Sequence, residues 1–273
     1  MLTSTNPVLA DASLEGALSH SHADASGRTA TVQGVVNKTI GCVVLATIAG
    51  AGGYALAAAY PGWSSAVMIG SLIATLIVFF TLARTPERCQ IGAPLYAALE
   101  GVALGTLTFW LESILVSRGI TTTGMGSLTL QAFVITASLM LAMLGAYKAG
   151  ILKPTERFAS FLTVATLGIV IIYGISFILS IFDVQMPFIT LGSALEGGNA
   201  ALIGLGINVL VLIVGALWFV MDFGQIQRAV ESGAPASWEW FLTFGLLVSI
   251  AWVYIEALKL AFRLALLFGG RRD

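Results

Sequence analysis

Polar and apolar positions along this chain fall into long blocks rather than a helical or strand alternation. From Thr39 to Ala83 no charged residue occurs for 45 positions, and Pro61-Gly62-Trp63 supplies the turn that splits the run. A helix that crosses a bilayer needs ~20 mostly apolar residues. By that measure the pattern predicts spans over 39–60, 64–83, 92–116, 127–147, 158–182, 200–221 and 240–266. The fold class expected is an all-α polytopic membrane protein, with a seven-helix membrane domain over 36–268. Residues 1–35 are rich in Ser, Ala, Thr and Gly and hold His20 and His22. They lack the basic and apolar regions of a signal peptide, so they read as a soluble, disordered tail. Residues 269–273 form a short basic tail.

Composition then removes whole classes. Apolar residues make up 58% of the 273 positions, charged residues 10%, and the mean hydropathy is +0.94. A soluble chain carries about 25% charged residues, so this one is expected to use lipid as its solvent. A soluble enzyme and a nucleic-acid binder are excluded together. The net charge of −1 identifies no partner, and Cys42 and Cys89 form neither a metal spacing nor a disulfide framework. No phosphate-binding G-x-x-x-x-G-K-[ST] stretch, H-E-x-x-H or G-x-S-x-G is present. No enzyme activity and no cofactor are expected. Lys259 in the last span suggests a retinal protein in outline, but it lies near the end of its helix, three residues after an acid.

Loop charges set the expected orientation. Arg28, Lys38, Arg84, Arg88, Lys148, Lys153, Arg157 and Arg228 fall on one side and Arg118 on the other. The positive-inside rule then puts the N-terminus in the cytoplasm and the C-terminus outside. The terminal Arg271-Arg272 opposes this and would fit a last segment that turns back. The small residues of the first span and Gly101-x-x-x-Gly105 read as close helix packing.

Charges at membrane depth cost ~2.5–3.5 kcal/mol each on insertion scales and mark functional candidates. Three acids qualify: Glu100, Asp222 and Glu256. Asn208, Gly215 and Asp222 recur every seven residues along one face of the sixth span. Ser249, Trp252, Glu256, Lys259 and Arg263 share a face of the seventh. A local reading stands beside this one. Lys259 can pair with Glu256 at i+3, and Asp222 can simply close its helix. Glu112 and Asp183 read as interfacial span ends.

Several segments together carry a resemblance: TVQGVVNKT, LYAALEGVALG, LGAYKAGILKPTERF, FVMDFGQIQRAVESGAP and EWFLTFGLLVSIAWVYIEALKL. Over about residues 29–265 the chain resembles the bacterial branch of the Bax inhibitor-1 family. The resemblance implies a seven-helix bundle with the last helix central, in the bacterial cytoplasmic membrane. It implies a pH-sensitive passive calcium leak governed by an acid pair, here Asp222 and Glu256, with calcium as the transported ion. Two carboxyls in one low-dielectric site share a proton, and their oxygens suit weak calcium binding. A second function implied by bacterial relatives is a non-channel regulator that binds a membrane-bound ATP-dependent protease, with the N-terminal tail as the handle. Two features depart from the family. Asp222 and Glu256 are 34 residues apart, about ten more than the family's spacing, an offset of ~18 Å in height. If the two do not meet, Glu239 becomes the acid nearer to Asp222. No arginine within a span is placed to latch onto Asp222.

Overall fold

The computed structural model describes residues 28–120, 127–182, 184, 186 and 190–269. Residues 1–27, Asp183 and the terminal Arg271-Arg272 lie outside them, and so does most of the expected tail. Among the described residues, seven helices are long and apolar enough to cross a membrane. They are α1 (Val32–Ala59), α2 (Ser64–Arg84), α3 (Cys89–Ser117), α4 (Leu128–Lys148), α5 (Glu156–Ile181), α7 (Gly198–Glu231) and α8 (Trp238–Phe268). A short helix α6 (Gly192–Glu196) precedes α7, and positive φ at Gly197 and Gly198 makes the break between them. Even the 21-residue α2 and α4 reach ~32 Å, enough for the ~30 Å hydrocarbon layer.

The helix starts follow local chemistry. Thr31, Ser127 and Thr155 each turn a side-chain oxygen toward the backbone N–H three residues on, at 2.9, 3.4 and 3.3 Å. Two boundaries differ from the sequence expectation by more than three residues. Helix α1 begins at Val32 rather than 39, and residues 28–31 are fastened instead of free. Ala30 N–H donates to the Ala234 carbonyl at 2.7 Å, and Ala236 N–H to that of Arg28 at 3.0 Å. Helix α7 continues nine residues past Asp222 to Glu231, because the helix formers Gln225–Ala229 carry it through Gly224 and it stops only before Gly233, whose φ is positive.

Helix α8 is the centre. Of its most apolar stretch 72% is buried, against 11% for α2 and for α5. It packs on α1, α3, α4 and α7 through Phe241, Phe244, Val253, Leu258 and Phe262. The periphery is the reverse of a soluble surface. Ile73, Ile77 and Phe80 on α2, and Val164, Ile171 and Phe177 on α5, point outward. Each such side chain gains about 1.5–3 kcal/mol on leaving water, so the surface is built for lipid. Helices α1 and α3 approach most closely. A Cβ at Gly101 would strike the Ala46 carbonyl, and one at Gly105 the Gly50 carbonyl, which is the small-residue packing expected from the sequence.

Candidate functional site

Glu256, Lys259 and Arg263 lie at i, i+3 and i+7 on α8, one face of a helix that is buried on nearly all sides. Glu256 is 1% exposed, and three helices satisfy its carboxylate. Lys259 Nζ lies 2.5 Å from Oε1. Asn208 of α7 donates through Nδ2 to Oε2 at 2.7 Å and to the Glu256 carbonyl at 3.2 Å. From α5, the Tyr173 hydroxyl donates to Oε1 at 3.4 Å and accepts from Lys259 at 3.1 Å. The ammonium also sits 4.7 Å from the Tyr173 ring centroid. A lone carboxylate or ammonium here would be costly; paired, the two carry no net charge.

One atom of this cluster remains unanswered. Asn208 Oδ1 is buried and has no hydrogen-bond partner among the described residues. Reversing the amide would not help, because it would forfeit both Nδ2 bonds to Glu256. A buried acceptor beside a carboxylate and a phenol is a place for a water or a cation. One turn further, the buried Arg263 donates through Nη2 to the Thr190 carbonyl at 3.1 Å.

The structure does not bring Asp222 to Glu256. Helices α7 and α8 run antiparallel: Asn208 meets Glu256, and Gly215 faces Val253 and Trp252. Asp222, 14 residues beyond Asn208, is ~21 Å away along α7. That register sets it opposite residues 242–246 of α8. The reason is that nothing absorbs the offset. α8 runs unbroken through Gly245, and the connection from α7 is only Ser232–Ser237. Asp222 is therefore a second, separate buried acid, 1% exposed, with buried Gln225 one turn along its helix. It does not close its helix.

Glu239 is not its partner either. In the first turn of α8, Glu239 Oε1 accepts from the Thr31 N–H at 2.8 Å and the Thr31 hydroxyl at 3.0 Å. Its Oε2 forms an ion pair with Lys38 of α1, whose ammonium lies 5.3 Å from the Trp240 ring. A Cβ at Gly34 would collide with the Glu239 carboxylate, so glycine permits this α1–α8 clasp.

Glu100 on α3 is half-buried and makes no hydrogen bond or ion pair among the described residues. Glu112, expected to be an idle interfacial acid, has a structural task. Oε2 accepts the Tyr54 hydroxyl at 2.8 Å, and Oε1 accepts the Leu128 N–H at 3.1 Å, which ties the start of α4 to α3. Sequence reasoning missed Tyr173 and Lys38. A single phenol amid the Ile-Ile-Tyr-Gly run of α5 was a usable signal for the first. Nothing local marked the second, since its partner is 201 residues away.

The fold and this cluster define a polytopic α-helical membrane protein with a buried ionic centre on its central helix. The chain belongs to the Bax inhibitor 1 like family, whose model matches residues 6–265. No curated protein and no solved structure matches it.

Proposed function

We propose that this protein is a pH-sensitive passive cation leak, with calcium among the ions passed, and that its control point is the Glu256–Lys259–Asn208–Tyr173 cluster. The observation that carries this reading is the buried carboxylate of Glu256 held by side chains of three helices beside the orphan oxygen of Asn208. Ionisable groups at membrane depth mark ion routes by default, and a site of few oxygens binds cations weakly enough to release them. With Lys259 on Glu256, the arrangement is that of a closed route: the ammonium takes the place a cation would occupy. Asp222 and the half-buried Glu100 are further acids along the bundle, and Asp222 acts separately from Glu256.

The protein resides in the bacterial cytoplasmic membrane with its N-terminus in the cytoplasm. The basic ends of α1, α2, α4 and α7 at one face, against Arg118 as the basic loop residue at the other, support this orientation. Its role is not enzymatic. The protease-regulator reading rests on a tail that lies outside the described residues and gains no support from the bundle. Calcium flux into liposomes containing the purified protein, followed from acid to neutral pH, tests the proposal. Flux that depends on pH and is altered by Glu256→Gln supports it, whereas no flux above protein-free liposomes at any pH overturns it.

A further inference from the structure

At the opposite end of α8 from Glu256, a groove of about 790 Å³ opens between the first turns of α1 and α8 and Pro94 of α3. Its lining changes character along its length. Arg28, Asn37 and Lys38 line the outer part, and Gly41, Cys42 and Leu45 line the inner part. The change falls at the membrane boundary, because Lys38 is the last charge before the apolar run that begins at Thr39. Leu45 is about 10 Å deeper than Lys38. Trp240, the aromatic type that favours the headgroup level, lines the groove with its ring beside the Lys38 ammonium.

We infer that this groove binds one anionic phospholipid, the phosphate in the outer part and the start of an acyl chain along Gly41 and Leu45. The charge arithmetic favours an anion. Arg28 and Lys38 contribute two positive charges and Glu239 one negative, 2 − 1 = +1. Both oxygens of Glu239 are already engaged by Thr31 and Lys38, so an incoming phosphate does not meet bare carboxylate lone pairs. The Arg28 side chain makes no hydrogen bond or ion pair among the described residues and is exposed in the groove. It can offer a bidentate donor pair to a phosphate. Gln33 Nε2 donates to Asn37 Oδ1 at 2.8 Å, which leaves the Asn37 amide hydrogens for the same ligand. A free phosphate would use only the outer part. The apolar inner part, lined by Gly41, Cys42 and Leu45 with Pro94 of α3, selects a lipid.

The test is quenching of Trp240 in nanodiscs, read as the difference between the full chain and Trp240→Phe. Brominated phosphatidylglycerol or brominated phosphatidylcholine is added at increasing fraction to an unlabelled zwitterionic background. The expected result is half-maximal quenching at a roughly fivefold lower fraction of the anionic lipid, the preference of about one basic side chain near a membrane surface. Arg28→Gln should remove that preference. Its side chain supports no contact of the fold, so the variant stays folded. Leu45→Phe, which narrows the inner part, should weaken quenching by both lipids. Equal midpoints for the two lipids, or an unchanged preference in Arg28→Gln, would overturn the inference. So would displacement of the brominated lipid by millimolar inorganic phosphate, since the site would then be one for the free anion.

Discussion

Lys259 Nζ rests 2.5 Å from Glu256 Oε1, with the carboxylate almost wholly buried and the lysine side chain 19% exposed. The two residues are three apart on one helix, so no rearrangement of helices is needed to form or break the pair. What holds them in place comes from elsewhere: Tyr173 of α5 touches both, and Asn208 of α7 fixes the far carboxylate oxygen. The pair is thus a local contact whose geometry three helices determine.

Its stability consequences follow from the asymmetry of buried ion pairs. Removing one partner of a buried pair costs about 3–5 kcal/mol, whereas an apolar replacement of both is near neutral. Glu256→Gln is expected to lower the melting temperature in detergent, and Glu256→Gln with Lys259→Met to recover most of the loss. Strictly additive losses in a double-mutant cycle would contradict the coupling.

The charge of the cluster gives the flux response a definite sign. The carboxylate and ammonium of the ion pair cancel. Replacing the Glu256 carboxylate with an amide leaves Lys259, with Arg263 one turn on, as uncompensated positive charge beside the route. Glu256→Gln should give low flux at all pH values, and Lys259→Met should raise flux at neutral pH by exposing the carboxylate to passing cations. Liposome flux of the three proteins checks this, and unchanged flux in Lys259→Met would refute the role given to the lysine.

Asp222 and Glu256 should behave independently. The register of α7 against α8 separates their levels by ten to fourteen α8 residues, ~15–21 Å, beyond the 7–10 Å within which substitutions normally couple. Asp222→Asn and Glu256→Gln should combine additively in both melting temperature and flux. A coupling as large as that between Glu256 and Lys259 would require the acids to meet in another arrangement of the bundle.

The span pattern was legible because hydrocarbon imposes one rule on every stretch of about twenty residues, whatever its neighbours. The candidate site was legible only in part. Spacing along α8 put Glu256 beside Lys259, and a seven-residue recurrence selected Asn208, since both depend on a single helix's geometry. The supposed pairing of Asp222 with Glu256 depends on how far α7 extends past Asp222 and on the turn at Ser232–Ser237. Helix extension into the interface has no hydropathy signature, so the sequence could supply the mismatch in height but not its resolution. Lys38 and Glu239, and Tyr173 and Glu256, meet only through tertiary packing.

Glycine substitutions should divide sharply by position. Gly105→Ala drives a methyl into the Gly50 carbonyl on α1, a backbone atom that cannot step aside. Overpacking of this kind costs about 1–3 kcal/mol or more. Gly168→Ala on lipid-facing α5 meets nothing within contact range and replaces a poor helix former with a good one, worth up to ~1 kcal/mol. Thermal unfolding in detergent should show a clear loss for the first and no loss for the second.

The chain should end on the side of the membrane opposite its N-terminus. A turned-back final segment would reconcile Arg271-Arg272 with the positive-inside rule, and it would need a break or a shortened helix. Helix α8 has neither: it runs 31 residues from Trp238 to Phe268, ~46 Å of continuous rise, through the middle of the bundle. Two terminal arginines cannot reverse a helix so enclosed, because doing so would expose Phe241, Phe244 and Phe262 and empty the core between α1, α3, α4 and α7. A C-terminal reporter should therefore lie across the membrane from one at the N-terminus. In bacterial cells, alkaline phosphatase fused after residue 273 should be active and a fluorescent protein there dark, with the reverse at the N-terminus. Both fusions reporting the same side would show that α8 does not span, and the placement of Glu256 at membrane depth would fall with it.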